Sequence, residues 1–252
     1  MTLQLTTLEP FARGGNRLCF VHPDYPDRVI KVRRPDFSLE ERRRRKGFPK
    51  NLRPLSSFDD NAEENRTMFA LDRQFGAPLY QHVSRCFGFE DSDMGKGLVS
   101  ELIRDASGKI SHTLKQYIWD NGYDDNARAA VEKFCACWET LGVPSRDLLL
   151  HNLVAQRDGG GKIVRLVVID GLGSSSLIPP QFWPHSLLTG KARRKTADLH
   201  QRIEKLLSQR GQDQFPGYHG QLFHDGVSTG ANAGTQAGDD NNAANTTGPQ
   251  QP

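Results

Sequence analysis

The sequence predicts an α+β fold. Strand-turn-strand pairs gather in the first half with one helix between them, and the second half shows mainly helical periodicity around one late hairpin. Segregated runs of this kind differ from the regular strand-helix alternation of a parallel sheet. The 252 residues are 36% hydrophobic, which supplies a core of ordinary size and excludes both a wholly disordered chain and a disulfide mini-protein. No run nears the ~20 apolar residues of a membrane helix. The N-terminus, Met1-Thr2-Leu3-Gln4, lacks the basic start and apolar stretch of a signal peptide. Cys19, Cys86, Cys135 and Cys137 form no Cys-x-x-Cys pair, so a reduced, cytoplasmic setting is expected.

Leu18–His22 and Arg28–Val32 read as strands around the turn Pro23–Asp27. The basic run that follows reads as a surface loop. A helix comes next, capped by Asn61 or Asp60, with Met68, Phe69, Leu71 and Phe75 at helical spacing and Gly76 and Pro78 as the stop. Val83–Glu90 and Gly97–Ile103 form a second strand pair. Thr113–Trp119 is a short helix. Asp124 or Asp125 caps a longer one to Leu141, whose apolar stripe holds Ala127, Ala130, Val131, Phe134, Cys137, Trp138 and Leu141. Asn152–Gln156 and Ile163–Ile169 form the late hairpin. A basic helix over Lys191–Gln209 places Leu199, Ile203, Leu206 and Leu207 on one side.

Charge is uneven. Residues 225–252 have no aromatic, Leu, Ile, Lys or Arg and carry −3, so the remainder carries +6 of a total +3. Such a segment buries too little apolar surface to offset its ordering entropy. Between Arg28 and Arg53 the local charge is +8, centred on Arg42-Arg43-Arg44-Arg45-Lys46. The run is either a solvated surface or a site for an anionic partner or acceptor. No aromatic interleaves with it, so a base-stacking nucleic-acid surface is not expected.

The late hairpin is bracketed by Asp147, Asn152 and Asp170. A carboxylate can take a hydroxyl proton, and an amide oxygen and a second carboxylate are hard ligands for Mg²⁺. The hairpin returns Asn152 and Asp170 to the same end.

On these residues the chain resembles the protein-kinase fold: Asp147 and Asn152 match the pattern H-R-D-x-x-x-x-N, and Asp170 matches D-F-G. More closely it resembles the bacterial YrbL family, described as part of the PhoP regulatory network. That likeness runs through Gly14–Pro23, Val29–Lys31, Glu64–Leu71, Asp147–Leu153 and Asp170–Pro179. It implies a minimal two-lobed kinase-like fold: residues 1–211, with a β-rich lobe to about 103 holding one helix, then a reduced helical lobe. The likeness says nothing of residues 212–252, which composition makes a flexible, largely disordered tail. It implies ATP and Mg²⁺ as cofactors. Lys31 would contact phosphates, with Glu64 (or its neighbour Glu63) as its partner. Gly14 and Arg17 would lie in the phosphate loop, and Glu101 to Ile103 would meet adenine at the hinge. Asp147 would be the base, and Asn152 and Asp170 would hold the metal.

The chain departs from the kinase pattern at several points. In the glycine-loop pattern only Gly14 keeps a glycine; Ala12 and Arg17 replace the others, and Arg17 brings charge. Ser145 replaces the histidine, Gly171-Leu172-Gly173 replaces Phe-Gly, and Ala-Pro-Glu is absent. A peptide-docking platform has no room. The resemblance thus implies a phosphotransferase for a small-molecule, glycan or lipid-headgroup hydroxyl in a bacterial envelope-stress context. The alternative is a regulatory pseudokinase that binds a partner with little or no catalysis.

Overall fold

The computed structural model describes residues 2–174 and 180–227. Strands β1 (Ala12–Arg13), β2 (Arg17–Val21) and β3 (Arg28–Arg33) are followed by helices α1 (Leu39–Arg45) and α2 (Asp60–Phe75), then by β4 (Cys86–Ser92) and β5 (Gly95–Glu101). The strands form one antiparallel sheet in the order β1-β2-β3-β5-β4. Its middle strand is buried from Val29 to Val32. Side chains alternate along a strand, so Ile30 and Val32 join Leu3, Leu5, Phe20 and Val99 on one face. Val29 and Lys31 point the other way, into a cleft.

The expected loop of basic residues is instead α1. Ser38 caps it by accepting from Glu41 N at 3.3 Å, and Glu41 pairs with Arg45 one turn on. Ser38-Leu39-Glu40-Glu41 has the Ser-x-x-Glu spacing of a capping box, a local helix signal set inside a run of high charge density. In α2 the cap is Asp59, not Asn61 or Asp60, because its carboxylate reaches Asn61 N and Ala62 N. Met68 and Leu71 are buried there. Phe69 is 70% exposed, since it lies about 100° round the helix from Met68.

The second part holds α3 (Leu114–Asn121), α4 (Asp125–Leu141), the two-stranded sheet β6 (Leu153–Arg157) and β7 (Ile163–Val168), and α5 (His185–Gln209). Thr113 and Asp124 cap α3 and α4. Cys135, rather than Cys137, is the buried cysteine of α4. It follows Val131 by four residues, on the side covered by α5, where His200 Nε2 lies 3.8 Å from its Sγ. Helix α5 starts six residues before the expected Lys191. Leu188, Ala192, Thr196, Leu199, Ile203 and Leu206 continue one buried stripe at spacings of three and four. Met68 and Leu71 of α2 belong to the same core as α3, α4 and α5. The expected α+β arrangement, a β-rich first part and a mainly helical second part, is thus observed, with α2 fixed to the helical part while its first turns face the sheet.

Residues 212–227 begin the segment expected as a flexible tail. They pack back on the body, because Phe215 and Leu222 give this stretch apolar contacts with Trp119 and with Phe11, Val29, Leu102 and Ile110. Residues 228–252 of the expected tail lie outside the described residues, as do Ser175 to Pro179 of the motif after Asp170.

Candidate functional site

Lys31 is only 6% exposed, and a buried ammonium needs partners. Its Nζ donates to Glu64 Oε1 at 2.7 Å and to Ile169 O at 3.1 Å. Of the two adjacent glutamates, Glu64 faces the sheet. Glu63 faces Arg146, 2.5 Å from its Nη2. Asn61, one turn before Glu64, is buried and donates through Nδ2 to Lys31 O at 2.8 Å. That bond ties α2 to β3 beside the ion pair.

Arg17 enters the same network from the start of β2. Gly14 N donates to Arg17 O at 2.9 Å, so Gly14–Arg17 forms the tight turn that joins β1 to β2. The Arg17 guanidinium donates through Nη1 to Asn61 Oδ1 at 3.1 Å and to Glu64 Oε2. Through Nη2 it donates to Asp170 Oδ2 at 2.6 Å. Two cations and two carboxylates thus form a compensated group, as buried charges require. Burial works against the charge on Arg17, but Glu64 and Asp170 outweigh it and hold its pKa above the ordinary value.

The polar bracket of the late hairpin is assembled by the backbone. Gly173 N donates to Pro144 O at 2.9 Å, Arg146 N to Gly171 O at 2.8 Å, and Ile169 N to Asn152 O at 2.9 Å. Gly171 has φ +83°, and a Cβ there would stand 2.8 Å from Asp147 O and 3.0 Å from Asn152 Nδ2. Asn152 and Asp170 are therefore brought together beside Lys31. Asp170 Oδ1 accepts from Gly171 N at 2.6 Å. Burial raises the Asp170 carboxyl, while Arg17 and then Lys31 lower it; the net position is below the usual carboxylate value.

Asp147 sits differently. Its Oδ1 accepts from Lys195 Nζ at 3.1 Å and from Arg202 Nη2 at 3.3 Å, both on α5. The side chain is 47% exposed, and it does not line the cleft that Asn152 and Asp170 line. Lys195 and Arg202 were not singled out in the sequence. Their separation of seven residues on a basic helix, two turns on one face, was the available signal.

The cleft is a cavity of about 420 Å³. Its polar end holds Gly14, Arg17, Lys31, Glu64 and Asp170, and its apolar end Cys19, Val29, Leu102, Ile103 and Val154. Glu101 turns its carboxylate to Arg85 N at 3.0 Å and Arg165 Nη2 at 3.3 Å, and its own N donates to Arg85 O at 2.8 Å. Ile103 is buried and accepts from Ser111 N at 3.0 Å. His219 to Leu222 also line this space, which was not foreseen. Arg42, from the basic run, reaches the rim and pairs with Asp60 at 2.5 Å.

The donor set at Asn152 and Asp170, one amide oxygen and one carboxylate, fits Mg²⁺, which takes few protein oxygens and keeps waters or phosphates. Among the described residues no group of three His, Cys, Asp or Glu side chains is placed to hold a metal. No described helix is long and apolar enough to cross a membrane.

The family model described as PhoP regulatory network protein YrbL matches residues 3–204. The uncharacterized protein YrbL of Escherichia coli (strain K12) is 25% identical over 187 residues, covering 72% of this chain and 78% of that protein. The protein of the same description from Shigella flexneri gives the same figures. Among solved structures, the crystal structure of Rad53 1-466 in complex with AMP-PNP is 14% identical, with a TM-score of 0.40 over 65% of this chain. The match spans about a third of that solved chain, 36% of its length.

Proposed function

The chain belongs to the YrbL family, and from that premise and the cleft we propose an ATP- and Mg²⁺-dependent phosphotransferase acting on a small-molecule, glycan or lipid-headgroup hydroxyl. The observation that carries this reading is the Lys31–Glu64 pair, set beside Asp170 at the polar end of a cavity whose other end is apolar. Such a cavity offers separate environments for phosphates and for a base.

Lys31, oriented by Glu64 and the Ile169 carbonyl, binds the α- and β-phosphates. Asn152 and Asp170 would hold Mg²⁺, which would supply positive charge to offset that of the phosphates. Val29 and Val154 face the base, and the Glu101–Ile103 backbone borders it. Asp147 orients the acceptor hydroxyl and takes its proton. Both α5 cations fall on Oδ1, which leaves Oδ2 for that proton. Catalysis of this kind is mainly positioning and charge stabilisation. A bacterial cytoplasmic setting and an anionic acceptor near Arg42–Lys46 complete the reading.

A second reading is a regulatory pseudokinase. The Arg17–Asp170 contact favours it, since a protein side chain already engages a proposed metal ligand. Thermal unfolding with ATP and Mg²⁺ tests nucleotide binding. The proposal expects a rise in Tm that is absent in Asp170→Ala; no rise in the wild type across millimolar ATP overturns it.

A further inference from the structure

Residues 215–225 run back from the end of α5 across the open edge of the cleft and bond to both sides of it. On the helical side, Lys115 Nζ donates to Pro216 O at 2.5 Å and His219 O at 3.0 Å, and Thr113 Oγ1 donates to Gly220 O at 2.8 Å. The His219 ring stacks on His151 with centroids 5.2 Å apart. On the sheet side, Phe223 N donates to Phe11 O and Ile110 N to Asp225 O, each at 2.8 Å. Between these anchors Leu222 packs against Phe11, Val29, Leu102 and Ile110, the apolar cluster at the base end of the cavity.

Lys115 gives independent support. It is buried, and its ammonium is satisfied by carbonyls of this segment. Without the segment a buried cation would lose those partners, at a cost that disfavours release. The segment walls the cavity and does not fill it, since about 420 Å³ remains beneath it. It also lies beyond residues 3–204, the span matched by the family model.

We propose that residues 215–225 are a strap forming the outer wall of the nucleotide site, with Leu222 as a contact for the adenine base. This rests on the reading of the cleft as a nucleotide site and adds a determinant of base affinity. A flat apolar base entering between Val29 and Val154 would be covered at its edge by Leu222, while the phosphates at Lys31 would not touch the strap.

The test uses the full chain and three probes: ATP, adenosine and inorganic triphosphate, with Mg²⁺ present throughout. Leu222→Ala is expected to weaken ATP and adenosine binding about tenfold and to leave triphosphate binding unchanged. Lys115→Met, which releases the strap without leaving a buried charge, is expected to do the same. ATP is also expected to slow thermolysin cleavage at Leu222–Phe223 in the wild type. Equal or tighter ATP binding in folded Leu222→Ala, with cleavage indifferent to ATP, overturns the strap and leaves the nucleotide site standing. Absence of ATP binding in the wild type overturns both.

Discussion

Arg17 Nη2 lies 2.6 Å from Asp170 Oδ2, and the same guanidinium engages Glu64, the partner of Lys31. One side chain thus ties the β1–β2 turn to Glu64 of α2 and to Asp170 after β7. A cation here both neutralises two carboxylates and stands where phosphate charge would arrive.

Arg17→Met is expected to destabilise the protein by about 2–3 kcal/mol, because it leaves Glu64 and Asp170 short of a partner in a partly buried site. Arg45→Met, at an exposed pair with Glu41, should change stability by less than about 0.5 kcal/mol. Urea unfolding of the two variants checks this; equal losses would contradict it.

Gly171→Ala should cost about 2–4 kcal/mol and abolish the ATP-dependent rise in Tm. The new Cβ would meet the Asp147 carbonyl at 2.8 Å with φ at +83°, and a backbone atom cannot move aside cheaply. Gly159→Ala, with nothing within 4 Å and no positive φ, is the matched control and should be close to neutral.

Asp147→Asn should abolish turnover and preserve the ATP-induced rise in Tm. Its carboxylate lies outside the cavity lining, against Lys195 and Arg202. Thermal unfolding and γ-phosphate transfer measured on one preparation separate the two effects. Loss of both together would place Asp147 in nucleotide binding instead.

Stability should fall on acidification through His151. Burial, then His219 and Lys115, hold its imidazole down at about 4, against the opposing pull of Asp170. An ordinary imidazole titrates near ~6.5. Between these values the unfolded chain binds more protons, so stability is full above about 6.5 and declines toward about 4. His151→Gln should flatten this part of the curve in urea unfolding followed from pH 7 to 4. An unchanged slope would contradict the assignment.

Much of this was legible because it rests on local periodicity. The strands around Pro23–Asp27, the α4 cap at Asp124 and the helical stripe of Leu199, Ile203 and Leu206 all follow from short-range pattern. The set Lys31, Glu64, Asn152 and Asp170 was nameable from the order of motifs, and the structure places these four side chains around one cleft. What escaped depends on long-range contacts. Charge density hid the Ser38 cap of α1. Polar residues and Gly190 hid the first turns of α5. Asp147's partners lie 48 and 55 residues away. The strap reads as solvent-exposed chain until Phe11 and Lys115 are seen to receive it.

The decisive measurement is a structure determined with Mg²⁺ and a non-hydrolysable ATP analogue. A nucleotide site in the cleft requires Lys31 Nζ on the phosphates, Asn152 and Asp170 on the metal, Arg17 moved off Asp170, and the base between Val29 and Val154. A cleft still closed by the Arg17–Asp170 contact, or a nucleotide bound away from Lys31, would contradict it.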